Sequence, residues 1–402
     1  MRVGIYLGDQ APDTGGGFTF QADLFQAFSK LVAASHHQFV VFGRKEFEAD
    51  VLMATANAVQ FSALPQRSLL DRLQFMLQRD FAFVRAKWRR KGSLQRCAER
   101  EGIECIWFLG SDCQLLEIPY IAIVWDIQHR TLPWFPEVSH SGEWEAREAA
   151  NTWFLRRAAV VITGTRVGVE EIVRFYHIQP QLLKILPHPT PARALKAATG
   201  MSSATTSEVL GKYDIGRPFL FYPAQFWAHK NHATLLHALA LLRQQGTEID
   251  VVFAGSDKGN RGYCERVARD LGLTSFVHFL GFIPDDDLID LYRQAVALAY
   301  VSYGGPENLP PLEAFALGCP VLAADVPGAR EQLGECALYF DPGSKECIAA
   351  VCRQILEDRE LRGRLIAAGR DRARKWTGTE FVQGVFRILD ELEPVRRTWG
   401  SP

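Results

Sequence analysis

The sequence predicts an α/β protein with two parallel sheets, one in each half of the chain. Three observations lead there. The 402 residues exceed what one ordinary core accommodates and suit two domains of about 200 residues each. Short apolar runs alternate with helical patterns from end to end, as in parallel sheets covered by helices on both faces. Between the halves lies ALKAATGMSSATTSEVLGKYDIG, Ala194 to Gly216, small and polar enough for a linker or an exposed hairpin.

The strands follow in order. In the first half they are VGIYLG from Val3, QFVVFG from Gln38, CIWFLG from Cys105, YIAIVWD from Tyr120 and AVVITGT from Ala159. In the second half they are FLFYPAQ from Phe219, DVVFAGS from Asp250, VHFLGF from Val277, ALAYVS from Ala297, PVLAAD from Pro320 and ALYFD from Ala337. Each is a buried-strand pattern followed by a helical one, giving two Rossmann-like domains that face each other across a cleft. Their bounds are 1–193 and 217–376, with the linker at 194–216 and a closing helix at 377–402 that can cross back to the first domain.

Composition narrows the classes. With 48% apolar and 23% charged residues the chain is globular, and a net charge of −1 gives no field to attract nucleic acid. The opening MRVGIYLGDQ reads as a strand rather than a leader. No apolar run approaches the roughly 20 residues needed to span a bilayer. None of the 8 cysteines forms a CxxC pair, so neither zinc binding nor a disulfide framework is indicated, and a reducing, cytoplasmic setting is expected.

In doubly wound sheets, ligands bind beyond the carboxyl ends of the strands. Four stretches occupy such positions. After the first strand, Gly15, Gly16 and Gly17 let backbone approach a phosphate before a helix, although the spacing is not that of a dinucleotide fingerprint. In VWDIQHR, Asp126 and His129 stand at a strand end. Either they bind a sugar hydroxyl or hold a proton, or Asp126 caps a turn and His129 is an ordinary satisfied histidine. In FYPAQFWAHKNH, Lys230 sits just before Asn231, a plausible N-cap, and brings a movable positive charge to a helix entrance. In SYGGPENLPPLEAFALG, glycines and a proline turn the chain, and Pro310 and Pro311 suit the first helical turn. The amides of Asn308 and Leu309 then face outward as a seat for a diphosphate, with Glu313 in the first turn placed to accept from sugar hydroxyls.

NLPPLEAFALGCPV resembles the donor-site motif of the family-4 retaining glycosyltransferases of GT-B architecture. Their pattern is roughly E-G-F-G-L-P-x-L-E-A. VPGAREQLGECALYFDP, LGFIPDDDLIDLYRQA and the YPAQFWAHKNH block are similar to the same family. The likeness is strongest from Phe219 to Pro342, and WDIQHR resembles a bacterial surface-polysaccharide subset. The resemblance implies that Lys230 contacts the donor diphosphate, that Asn308 and Leu309 supply amides to it, and that Glu313 holds the ribose. It also implies that Gly15, Gly16 and Gly17 lie below the donor phosphates. Three positions depart from the pattern. Gly305 stands where the family has its first glutamate, with Glu307 as a candidate replacement. Gln225 stands where the family has an arginine, and Trp125 where it often has a histidine.

The implied reaction is transfer of a hexosyl unit from a nucleotide-diphosphate sugar to a hydroxyl of a glycan or lipid-linked glycan, with retained configuration. No metal or other cofactor is expected. Guanosine diphosphate mannose is one donor suggested by the resemblance. A non-catalytic nucleotide-sugar-binding partner of a polysaccharide assembly is the alternative, since Gly305 and Gln225 remove two polar groups. Asp285, Asp286 and Asp287 superficially resemble a metal-binding Asp-x-Asp motif, but they precede a helical pattern and read as helix caps. The basic, aromatic stretch 72–96 either lies on the inner face of the plasma membrane or is a solvated helix packed on its own domain.

Overall fold

A computed structural model describes residues 1–8, 16–65, 91–111, 114, 116–200 and 206–400. The chain divides into two compact units. The first comprises Met1–Pro133, Val138–Pro189 and Gly378–Pro402; the second comprises Trp134–Glu137 and Thr190–Thr377.

The first unit is built on a parallel sheet ordered β3-β2-β1-β4-β5-β6-β7. Its strands are β1 (Arg2–Tyr6), β2 (Gln38–Gly43), β3 (Gln60–Ala63), β4 (Cys105–Phe108), β5 (Tyr120–Ile123), β6 (Val160–Thr163) and β7 (Leu183–Ile185). The central strands are buried on both faces, which is why they read as unbroken apolar runs. On one face Tyr6, Phe108, Tyr120 and Phe154 pack together, with Tyr120 and Phe154 stacked at 4.7 Å. On the other, Phe28 of the Gly16–Leu31 helix meets Trp107. The Gly378–Arg396 helix covers the same face, with Phe386 stacked on Phe39 at 5.6 Å and Gly384 leaving room for Leu186. The Gly378–Arg396 helix therefore returns to the first sheet.

Two strands, β3 and β7, have no counterpart in the sequence reading. Both are edge strands of half-polar character, QFSA and LKI, with Gln60, Ala63 and Ile185 exposed. One buried face gives no continuous apolar run to detect.

The second unit carries a parallel sheet ordered β10-β9-β8-β11-β12-β13. These strands are β8 (Phe219–Pro223), β9 (Asp250–Ala254), β10 (Val277–Phe279), β11 (Ala297–Tyr300), β12 (Val321–Ala324) and β13 (Ala337–Phe340), all at the positions read from sequence. The stretch read as a linker at 194–216 is largely helical: Ala192–Thr199 and Thr206–Lys212 belong to this unit, and Ala194, Val209 and Ile215 are buried in its core. The small side chains that suggested a linker instead let the first of these helices lie close against Leu309–Leu317. Among the described residues, no helix is long and apolar enough to cross a membrane. Of the basic stretch, residues 72–90 lie outside the described residues, and Ser93–Arg96 open a helix.

Candidate functional site

The second sheet grows from β8 through β9 to β10 on one side and from β11 through β12 to β13 on the other. β8 and β11 are neighbours, so the switch point where α/β sheets take ligands lies beyond their carboxyl ends.

After β8 the chain makes a 3-10 turn, Ala228–Lys230, and enters the His232–Gln244 helix through Asn231 at φ 59°. Asparagine tolerates this left-handed conformation. Its side chain does not cap the helix as anticipated; Asn231 Nδ2 instead donates to the carbonyls of Val301 at 3.1 Å and Pro342 at 2.8 Å. The entrance of one helix is thereby fixed to the segments leaving β11 and β13. Lys230, next to this anchor, donates from Nζ to the Tyr300 hydroxyl at 2.9 Å. The phenol donates onward to Asn308 Oδ1 at 2.6 Å, and Asn308 Nδ2 donates to the Gly305 carbonyl at 2.9 Å. A continuous polar chain therefore spans the switch point from Lys230 to the loop after β11.

That loop feeds the Leu309–Leu317 helix, with Asn308 at the N-cap and prolines in the first turn. Two sequence expectations change here. The Asn308 amide does not face outward: it donates to Gln332 Oε1 at 3.0 Å, while Gln332 Nε2 donates to the Asn308 carbonyl at 2.9 Å. Pro310 and Pro311 have no N–H, so Leu309 alone supplies a free-standing first-turn amide. Glu313 lies beyond the first turn and is buried, and its carboxylate is already engaged. Oε1 accepts from Arg193 Nε at 3.0 Å and Nη2 at 2.6 Å, and Oε2 accepts from the Tyr292 hydroxyl at 2.9 Å. Burial opposes the Arg193 charge, but Glu313 and Asp285 outweigh it and raise its pKa.

Gly305 explains its own departure from the motif. Its φ is 94°, and a Cβ there would lie 2.8 Å from Asn308 Oδ1, so a side chain in this conformation is strained and displaces Asn308. Glu307 is buried rather than presented to solvent. Gln225 is tied locally, donating to Ser256 Oγ at 3.2 Å and accepting from the Trp227 indole at 3.0 Å. Asp285, Asp286 and Asp287 open the Asp285–Gln294 helix; Asp285 accepts from Arg193 and Asp287 from Tyr213, both through single carboxylate oxygens.

In the first unit, Gly15 lies outside the described residues, and Gly16 and Gly17 begin the helix that follows β1. Asp126 accepts from the Gln128 amide at 3.0 Å, the turn-capping role. His129 is buried, with Nε2 at 2.9 Å from the Tyr176 hydroxyl and 3.3 Å from Glu148. Burial holds its pKa below the ordinary value against the pull of Glu148. It is therefore not presented to a sugar hydroxyl. Half-buried Glu171, on the Arg166–Tyr176 helix, is raised to about 7 by burial and by the Asp126 charge. A cavity of about 1120 Å³ opens at the carboxyl ends of β1, β2 and β3, with Arg44, Lys45, Arg96 and Arg100 among its lining.

Sequence reasoning missed Arg193, Tyr300 and Gln332. Tyr300 ends a strand already identified, so its hydroxyl could have been placed at the site. Gln332 lies in the VPGAREQLGE block that follows β12. Arg193 sits in what was read as the domain boundary.

Residues 208–372 match the family model of glycosyl transferases group 1, within the second unit. The second unit is a group 1 glycosyltransferase domain, and the chain has a GT-B fold. Its sequence is 28% identical over 190 residues to O-antigen chain mannosyltransferase B of Escherichia coli, covering 44% of this chain and 47% of that protein. It is likewise 28% identical over 264 residues to D-inositol 3-phosphate glycosyltransferase of Salinispora arenicola, covering 61% and 58%. The chain thus spans about half to three fifths of these curated relatives. Anabaena HepE in complex with UDP and glucose superposes with a TM-score of 0.69 at 16% identity, covering 98% of this chain and 100% of that one. WaaG, a glycosyltransferase involved in lipopolysaccharide biosynthesis, gives 0.67 at 19%, covering 96% and 99%. At these identities the structures share the fold.

Proposed function

We propose that the chain transfers a hexosyl unit from a nucleotide-diphosphate sugar to a hydroxyl of a glycan or lipid-linked glycan, with retained anomeric configuration. The observation that carries this reading is the Lys230–Tyr300–Asn308 chain across the switch point, inside the domain that matches the family model. Glycosyl transfer builds negative charge on the departing diphosphate while the sugar carbon becomes cation-like. The Lys230 ammonium, the Leu309 amide and the positive end of the Leu309–Leu317 helix supply fixed stabilisation for that charge. Tyr300 holds the ammonium in position before the donor arrives.

Glu313 binds the ribose through the acceptor capacity that Arg193 and Tyr292 leave on its carboxylate. In the retaining reaction the departing phosphate takes the acceptor proton, so buried His129 is not required as a base. The basic lining of the first-unit cavity favours an acceptor carrying phosphate, as a lipid-linked glycan does. Mannose is the sugar to try first, because the E. coli relative is named a mannosyltransferase.

The test is Lys230→Ala, assayed for nucleoside-diphosphate affinity by calorimetry and for transfer or slow hydrolysis of nucleotide sugars. Loss of one preorganised charge should lower turnover about 10²–10³-fold. Wild-type turnover and affinity in the variant would refute the site. Nucleotide binding by the native chain without any transfer or hydrolysis would instead identify the non-catalytic alternative.

A further inference from the structure

One short stretch stands apart from its neighbours in sequence. Trp134–Glu137 belongs to the second unit, although the residues on both its flanks belong to the first. Two of its side chains account for that. The Phe135 ring meets the His229 imidazole at 6.1 Å and the Tyr303 ring at 6.0 Å. Glu137 Oε1 accepts from the His229 backbone amide at 2.8 Å and also pairs with His229 Nδ1. The Glu137 and His229 side chains are only 6% and 10% exposed, so solvent barely reaches the pair. Burial alone would raise the Glu137 pKa, but the His229 imidazole and amide outweigh it and hold it below the ordinary value. An ionised carboxylate can only accept, so Nδ1 carries the proton.

These bonds fall on the turn that delivers Lys230. Ala228–Lys230 is a 3-10 turn whose N-cap, Trp227, makes no side-chain bond to it. The His229 amide is one of those that such a turn leaves unpaired at its start. Glu137 satisfies it from a distant part of the chain, as a capping side chain would. The His229 carbonyl accepts from the Tyr303 amide at 2.9 Å, so the peptides on both sides of His229 are held. Lys230 follows directly, and its own carbonyl accepts from the Tyr222 hydroxyl at 2.7 Å. We propose that Glu137 is a positioning residue for Lys230, fixing the turn so that the ammonium stands where the departing diphosphate needs it. This inference rests on the donor-site reading given above. Glu137 acts only through the His229 amide and imidazole, so its effect on the reaction must disappear once the ammonium it places is gone.

The experiment is a double-mutant cycle on the full chain, with Glu137→Ala, Lys230→Ala and both changes together. Release of nucleoside diphosphate from UDP-glucose and GDP-mannose gives turnover, and calorimetry with UDP and GDP gives affinity. In the native background Glu137→Ala should lower turnover about 10–100-fold, the scale expected of a misplaced group. In the Lys230→Ala background the same change should cost about 2-fold or less. Glu137→Gln keeps an oxygen for the His229 amide and should lie between the native chain and Glu137→Ala. Equal losses in both backgrounds overturn the proposal, since a purely structural role produces them, and so does no loss in the native background. Should the native chain bind nucleoside diphosphate without turnover, the affinities are read through the same cycle. Should Glu137→Ala not fold, the cycle is run with Glu137→Gln under the same criterion. Wild-type turnover and affinity in Lys230→Ala would be a different failure, that of the donor site itself.

Discussion

Glu171→Gln isolates the effect of placing a carboxyl beside Asp126 in a half-buried position. In the folded chain Glu171 titrates near 7 rather than 4.5, chiefly because burial disfavours its charge and secondarily because Asp126 repels it. Between those two values the folded chain keeps a proton that the unfolded chain has released. Stability therefore falls as pH rises through this window, the reverse of a salt-bridged acid. The full difference would be worth about 3.4 kcal/mol at 1.36 kcal/mol per pH unit. Solvent reaches part of the side chain, and screening reduces this to about 1–2 kcal/mol. Glutamine cannot ionise, so the variant escapes the penalty. Equilibrium urea unfolding of both proteins should show the variant gaining about 1–2 kcal/mol on the native chain between pH 4.5 and pH 8. Asp126→Asn should recover the smaller, repulsive part of that gain. A difference that is independent of pH, or that grows toward acid, would refute the reasoning.

Gly305→Ala must hold a side chain at φ 94° against Asn308. It should cost about 1–2 kcal/mol in thermal or urea unfolding and reduce nucleotide affinity in the same protein. Gln332→Ala should destabilise by about 1–2 kcal/mol, because two hydrogen bonds to the Asn308 backbone are lost. Gln332→Glu can still accept from that amide but cannot donate to the carbonyl, and urea unfolding should place it between the two. Arg193→Met leaves the Glu313 carboxylate buried without its cation; about 2–3 kcal/mol should be lost in urea unfolding, less than for a wholly buried pair because Arg193 is partly exposed.

The six strands of the second sheet were legible because both faces are covered, which turns each into an uninterrupted apolar run. β3 and β7 were not, since an edge strand needs only one apolar face. The helix entrance at Asn308 was legible from its prolines and glycines, whose backbone preferences are local. What the loop's amides bond to was not. Gln332 lies 24 residues from Asn308, Tyr300 lies 70 from Lys230, and Arg193 lies 120 from Glu313. Such pairings depend on how strands are ordered, and a side chain carries no local sign of a partner brought in by topology. Gly305 is instructive for the opposite reason: the sequence shows only that a carboxylate is missing, whereas the backbone at φ 94° shows why a side chain is disfavoured there.

The Thr190 amide donates to the Trp376 carbonyl at 3.1 Å, closing the long excursion that forms nearly all of the second unit. Synthesis on the ribosome runs from the amino end, so this excursion can fold as soon as it emerges. The first sheet must wait for Gly378–Arg396 to cover Phe28 and Phe39. A stop codon just after residue 377 should therefore spare the later-made unit and leave the earlier-made one with a bare apolar face, the reverse of what their order along the gene would suggest.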